Sequence, residues 1–273
     1  MLVVIKGAGD IASGIALRLV RARFAVVMTE LPQPTAIRRT VCFSEAVRLG
    51  EAEVEGIRAV RACDAFQAKK CLLRGMLPVL ADPEALCVRA LKPDALVDAI
   101  LAKRNTGTRR GDAPAVIAVG PGFTAGEDCD AVVETARGHC LGRVYYHGSA
   151  KPNDGVPGVI NGYTLERVLR APAAGTLRAR REIGELVEAG EAVAEVAGEP
   201  LRAAISGMLR GMLPDGTPVT AGMKCGDVDP RGAAASFSLV SDKALAVGGG
   251  VLEAVLHLLG GESDGRLKGD GFL

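Results

Sequence analysis

Hydrophobic and polar positions follow two rhythms along the first third of the chain. Leu2 to Ile5 is a short β-rich run and Ala25 to Met28 is a second. Between them Ile11, Ile15 and Leu19 recur at helical spacing, behind the glycine-punctuated stretch Gly7 to Gly14. Strand, tight turn, helix and strand in this order form the repeating unit of a parallel sheet. Further strands are predicted at Val54–Val60, Pro78–Ala81, Ala95–Val97 and Ala115–Val119, and helices at Ala65–Arg74 and Glu84–Leu91. The alternation predicts an α/β fold: a Rossmann-like, doubly wound parallel sheet with helices on both faces, over residues 1–125.

The pattern changes after Gly122. Residues 126–169 are rich in Gly, Pro and Asn, and include Lys151-Pro152-Asn153-Asp154-Gly155. They predict an irregular connecting region with strands at Ala131–Glu134 and Arg143–Tyr146. From Ala171 onward the chain repeats itself at an offset of 32 residues. That offset pairs Gly175 with Gly207, Leu177 with Leu209, Gly184 with Gly216, Val187 with Val219, Gly190 with Gly222 and Val196 with Val228. Each copy reads as strand, turn, strand. The two copies resemble the barrel-sandwich hybrid fold of biotinyl and lipoyl domains, which implies an all-β module over residues 170–231. Carrier domains bear their modified lysine on the hairpin between copies. Here that place is Gly198-Glu199-Pro200, and no lysine lies between Lys151 and Lys224. Neither biotin nor lipoate is expected. Residues 232–273 predict a helical tail, with periodicity from Ser236 to Leu259 interrupted by Gly248-Gly249-Gly250, and a frayed last dozen residues.

Composition narrows the partners. Aromatic residues are 3% of the chain and Trp is absent, which argues against base- or sugar-stacking surfaces. A formal net charge of +1 provides no global field to select nucleic acid or an anionic membrane. No apolar run is long enough to span a bilayer, and Met1-Leu2 leads into a strand without a signal-peptide pattern. Seven cysteines without a CxxC pair, and three scattered histidines, argue against a disulfide framework and against a metal site. A reducing, cytoplasmic compartment is expected. Homo-oligomerisation is left open.

The strongest motif is Gly7-Ala8-Gly9-Asp10-Ile11-Ala12, which fits the G-x-G-x-x-G/A dinucleotide fingerprint with Ala12 in third position. Gly7 permits the tight turn, Gly9 lets a pyrophosphate approach the backbone, and Ala12 lets the helix close on the strand. Glu30 ends the second strand, where an acid would hydrogen-bond a ribose hydroxyl. Asp10 counts against a phosphate unless its side chain points away. Arg38 and Arg39 follow, either as guanidinium forks for phosphate or as a solvated basic pair. Gly120-Pro121-Gly122 follows a predicted strand at the sheet's ligand-binding edge, either as an anion-binding loop or as a plain turn. Asp82 and Asp98 end strand-like runs and are equally readable as caps or turn residues. Cys42, Cys63, Cys71, Cys87, Cys129, Cys140 and Cys225 read as small hydrophobes rather than reactive thiols. His139 reads as a turn or core residue. No catalytic constellation is recognisable.

Three longer segments carry a family resemblance. Pro34-Thr35-Ala36-Ile37-Arg38-Arg39-Thr40-Val41 with Phe43-Ser44-Glu45-Ala46-Val47, Gly120-Pro121-Gly122-Phe123-Thr124-Ala125-Gly126, and Glu134-Thr135-Ala136-Arg137-Gly138-His139 resemble accessory proteins, of the YqeB type, of selenium-dependent molybdenum hydroxylase systems. The N-terminal part is similar, more distantly, to the Rossmann domain of XdhC-like molybdenum-cofactor maturation factors. The resemblance implies a role in maturing the hydroxylase or inserting its cofactor, with hydroxylase subunits or other maturation factors as partners. The implied ligand is a dinucleotide: NAD(P), FAD or molybdopterin cytosine dinucleotide. Gly7, Gly9, Asp10, Ile11, Ala12, Glu30, Arg38, Arg39, Gly120 and Gly122 are the candidate binding residues. Two rivals remain open, an NAD(P)-dependent oxidoreductase and a non-catalytic nucleotide-binding scaffold for a partner enzyme.

Overall fold

The structure, a computed structural model, describes residues 1–153 and 155–260. The apolar runs at the start become β1 (Leu2–Lys6) and β2 (Ala25–Glu30), joined by α1 (Asp10–Arg21). After α2 (Glu45–Leu49) come β3 (Glu51–Val54) and β4 (Ile57–Ala62). These two pair antiparallel around Glu55 and Gly56, whose φ angles are +46° and +80°. The single strand expected at Val54–Val60 is therefore split, because two consecutive left-handed residues turn a hairpin.

The chain continues through α3 (Ala65–Leu73), β5 (Leu77–Ala81), α4 (Val88–Leu91), β6 (Ala95–Asp98), β7 (Ala115–Val119), β8 (Ala131–Val133) and β9 (Val144–Tyr145). The nine strands form one sheet in the order β3-β4-β5-β2-β1-β6-β7-β8-β9. Pairing is parallel from β4 to β8 and antiparallel at both edges. Strand alternation sends Val3 and Ile5 to one core and Val4 to the other. The first core is closed by α1 together with α5 (Asp242–Leu259), and the second by α3 and α4.

Helix α5 comes from the far end of the chain. It runs unbroken through Gly248-Gly249-Gly250, although these residues are weak helix formers. The bareness of Gly248 and Gly250 is used in packing. A Cβ on Gly14 would lie 2.6 Å from the Ala244 Cβ, and one on Gly248 would lie 2.8 Å from the Gly14 carbonyl oxygen. The two helices approach so closely that only glycine fits at positions 14 and 248.

The repeat forms β10 (Val168–Arg170), β11 (Gly175–Ala179), β12 (Leu186–Val187) and β13 (Ala192–Val196), then β14 (Glu199–Arg202), β15 (Gly207–Met212), β16 (Pro218–Val219) and β17 (Lys224–Asp229). Two four-stranded sheets result, β10-β17-β15-β12 and β14-β13-β11-β16. Each takes two strands from each copy, so neither copy forms a sheet without the other. Leu177, Val193, Leu209 and Val228 fill the space between them.

The expected architecture, a Rossmann-like doubly wound domain followed by a separate barrel-sandwich module, is corrected by this topology. The chain is a mixed α/β protein built on one large, mostly parallel sheet. Doubly wound sheets insert a helix at each parallel crossover. The β6–β7 and β7–β8 connections contain none, and α5 fills that part of the face instead. The two small sheets are also tied to the large one. The Met212 N–H donates to the Ile37 carbonyl at 2.8 Å, and Arg39 Nε donates to the Met212 carbonyl at 2.7 Å. Among the described residues, no helix is long and apolar enough to cross a membrane. Asp154 and the frayed end expected beyond residue 260 lie outside the described residues.

Candidate functional site

The glycine loop between β1 and α1 sits at the C-terminal edge of the large sheet. Gly7 has φ +98° and donates its N–H to the Thr29 carbonyl at 2.9 Å. A Cβ there would lie 2.9 Å from the Ala99 carbonyl oxygen, so the turn requires glycine. Gly9 differs. A Cβ on it would meet nothing within 4 Å, so its bareness opens onto space. Ala12, in the first turn of α1, is buried. No side chain caps the helix, which leaves first-turn N–H groups without a side-chain acceptor, and Asp10 lies in that turn.

Glu30 braces this loop. Its carboxylate accepts from the Ala8 N–H at 3.0 Å and from the Leu31 N–H at 2.7 Å. Burial pushes its pKa above the ordinary glutamate value, and the two backbone donors pull it partly back. Ser13 Oγ adds a second brace, donating to the Ala8 carbonyl and accepting from the Phe43 N–H. The loop fronts a cleft of about 300 Å³ with largely apolar walls, including Ile11, Ala36, Pro83, Ile100 and Leu101.

A second hollow, about 400 Å³, opens on the other side of Gly9, Asp10, Ile11 and Ala36, which line both. It lies where the large sheet, the repeat strands and α5 meet. Six basic side chains line it, Arg38, Arg137, Arg167, Arg210, Lys224 and Lys243, against the acids Asp10 and Asp227. The arginines are held by aspartates. Arg38 pairs with Asp10 at 2.9 Å, Arg167 with Asp227 at 3.5 Å, Arg210 with Asp229 at 3.3 Å, and Arg137 with Asp242 through two bonds at 3.0 and 3.1 Å.

The lysines have no such partner; neither the Lys224 nor the Lys243 ammonium makes a hydrogen bond or ion pair among the described residues. Desolvation lowers the pKa of both ammonium groups. Asp227 opposes this at Lys224, while neighbouring arginines add to it, Arg167 and Arg170 at Lys224 and Arg137 at Lys243. Desolvation and Arg38 likewise lower Arg210. Three buried polar atoms of residues lining this hollow are unpartnered: Asp10 Oδ1, Arg38 Nε and Arg167 Nε. Unsatisfied buried groups of this kind are costly.

Of the residues expected from sequence, Gly7, Gly9, Asp10, Ile11, Ala12 and Glu30 line the apolar cleft, and Arg38 lines the basic recess. Arg39 lines neither, being engaged with Met212 and, at 3.5 Å, with Glu45. Gly120 and Gly122 also line neither. At φ +81° and +105° they make room for Thr135 and for the Arg104 backbone. Asp82 accepts from the Leu86 and Cys87 N–H groups. Asp98 is buried in a network where Lys6 Nζ donates to Thr108 Oγ1 at 2.7 Å and Thr108 Oγ1 donates to Asp98 at 2.6 Å. Burial pushes the Cys87 and Cys129 thiols up to about 12, and raises Cys42 and Cys225 as well. His139 is exposed in a turn. Among the described residues no group of three or more His, Cys, Asp or Glu could hold a metal ion.

Sequence reasoning missed Arg137, Arg167, Arg210, Lys224 and Lys243. Lys224 carried a faint signal, as the first lysine after a long lysine-free stretch. No spacing rule brings the other four together.

No protein-family profile matches the chain. In sequence it is similar to the Escherichia coli (strain K12) protein described as "Uncharacterized protein YqeB", 54% identical over 258 residues. That match covers 94% of this chain and 48% of the relative, so the chain spans about half of its length. Two solved structures are distantly similar. One is an aspartoacylase family protein from Mesorhizobium loti, 12% identical with a TM-score of 0.27 over 83% of each chain. The other is a succinylglutamate desuccinylase/aspartoacylase from Rhodobacter sphaeroides, 16% identical with a TM-score of 0.26, covering 83% of this chain and 84% of that one. At these TM-scores neither likeness carries an argument.

Proposed function

We propose that this chain is a cofactor-handling accessory protein of a selenium-dependent molybdenum hydroxylase system, acting in the cytoplasm and holding a dinucleotide or the molybdenum cofactor at its glycine loop. The observation that carries the reading is the junction at Gly9, where an uncapped helix N-terminus separates an apolar cleft from a basic recess. A ligand with a flat ring system and phosphates matches this division: the ring enters the apolar side and the phosphate meets the first-turn N–H groups. Asp10 Oδ1, a buried acceptor without a donor, suits a ligand that also presents an O–H or N–H, such as a ribose or a pterin.

The maturation context comes from the resemblance of the 34–47, 120–126 and 134–139 segments to the hydroxylase accessory proteins. The oxidoreductase reading is less well supported. A nicotinamide in the cleft would need a proton donor across from it, and no His, Tyr or Lys lines the cleft among the described residues. Thermal unfolding against NAD, NADP, FAD, CTP and molybdopterin cytosine dinucleotide tests the proposal. A ligand that binds only the folded chain stabilises it by about 2.7 kcal/mol at a hundred times its dissociation constant. The expected result is a rise with the molybdopterin form. A rise confined to NAD or NADP would favour the oxidoreductase, and no rise at all would favour a scaffold whose loop is architectural.

A further inference from the structure

The basic recess has features that the glycine loop alone does not explain. Its cations arrive from every part of the chain: Arg38 after β2, Arg137 after β8, Arg167 ahead of β10, Arg210 on β15, Lys224 on β17 and Lys243 on α5. If the four arginine–aspartate pairs served only to join these segments, the hollow would hold no excess charge. Two lysines remain outside these ion pairs, however, and the Nε–H groups of Arg38 and Arg167 have no acceptor. The side chains of Arg38 and Arg167 are each 8% exposed, so water does not readily take the missing acceptor's place. The N-terminus of α1 opens on the same hollow.

We infer that the recess is a phosphate oxyanion site, taking a pyrophosphate or phosphomonoester group between Lys224, Lys243 and the free Nε–H edges of Arg38 and Arg167. Aspartate pairing holds the guanidinium planes in place, so little side-chain entropy is lost on binding. The two lysines supply the charge that the aspartates leave uncompensated. Burial is the main cause of their lowered pKa values, and neighbouring arginines add to it. Because Lys243 belongs to α5 and Lys224 to the repeat, an occupant would bridge the large sheet, the small sheets and the terminal helix. The inference deepens the reading above, and rests on it only for the claim that phosphate and cofactor are parts of one molecule.

Inorganic pyrophosphate is the probe, titrated calorimetrically into the full chain at low and at moderate salt. Native protein is expected to bind it, with affinity falling as salt rises. The double variant Lys224→Ala/Lys243→Ala is expected to lose at least about tenfold in affinity, the loss of one charge-assisted hydrogen bond. Lys224→Arg/Lys243→Arg is expected to restore most of it. Lys70→Ala, on an exposed face of α3, serves as the neutral control. Unfolding midpoints of all variants separate lost binding from lost folding.

No pyrophosphate binding by native protein, or equal binding by the folded double alanine variant, would overturn the inference. If pyrophosphate binds as expected while no dinucleotide does, the phosphate site stands and the cofactor reading falls. If a dinucleotide binds and the lysine variants leave its affinity unchanged, the cofactor reading stands and this site falls.

Discussion

The two hollows that meet at Gly9 are built by opposite means. The apolar cleft is made by backbone geometry: a left-handed Gly7, an open Gly9, a buried Ala12 and a carboxylate tied to the loop's Ala8 N–H. The recess is made by side chains far apart in sequence, whose charges are held near one another by the packing of three sheets and a helix. Local geometry can be written into a dozen consecutive residues. A constellation of charges depends on the whole fold, and therefore shows only in the folded chain.

The sharpest way to break the comparison is to add a methyl group at each glycine of the loop. Gly7→Ala should destabilise the protein by about 2–4 kcal/mol, from the left-handed backbone and the contact with Ala99. Gly9→Ala should lose at most about 1 kcal/mol, the ordinary difference at a helix N-cap, while weakening dinucleotide binding. Urea denaturation reads the first effect and ligand titration the second. Equal losses of stability would erase the distinction between a structural and a ligand-facing glycine.

Next in size is Arg38→Met. It leaves Asp10 in the recess without its partner, and losing one half of a buried pair is strongly destabilising. Asp10 is 29% exposed, so the expected loss is reduced to about 2–3 kcal/mol. A variant as stable as the native chain would show that the pair contributes nothing to joining the segments.

Glu30→Gln sharpens the account of the cleft through pH. Because burial raises the folded-state pKa of Glu30, the stability linked to its protonation is fully present below the unfolded value. It is lost as pH rises through the raised folded value. The native chain should therefore lose stability relative to Glu30→Gln between about pH 4 and pH 7. Denaturation midpoints at both ends of that range measure the difference, and a flat difference would mean that desolvation does not govern this carboxylate.

The smallest expected effect is at the rim. The hydrogen bonds from Arg137 hold Asp242 at a pKa of about 2. That contribution is present above the ordinary aspartate value and lost as pH falls toward 2. Asp242 is 75% exposed, so Asp242→Asn should lose less than about 1 kcal/mol at neutral pH. A larger loss in calorimetric unfolding would place the pair among the main ties of α5.

How much could be read in advance follows the same division. The β1–α1–β2 unit was legible because glycine spacing and helical periodicity both point to it within one short stretch. The repeat was legible because the same residue types return 32 positions later, and the structure places β10–β13 and β14–β17 at that offset. The β3–β4 hairpin was not, since Val54–Val60 reads as one strand with Glu55 and Arg58 at polar positions. The continuity of α5 was hidden as well. Gly248-Gly249-Gly250 looks like a break until Gly14 and Gly142 are seen against it. The mixed sheet was missed because nothing in the β6–β7 connection announces that a helix from the chain's end will cover it. The recess left almost no trace, for its six basic residues span positions 38 to 243.

The central claim is that Gly9 is bare for a ligand rather than for the fold. Calorimetric titration of molybdopterin cytosine dinucleotide into native chain and into Gly9→Val tests it most directly. The account predicts saturable one-to-one binding by native protein, and loss of that binding in a variant that still unfolds cooperatively. Unchanged affinity in Gly9→Val, or no binding by the native chain, would contradict it.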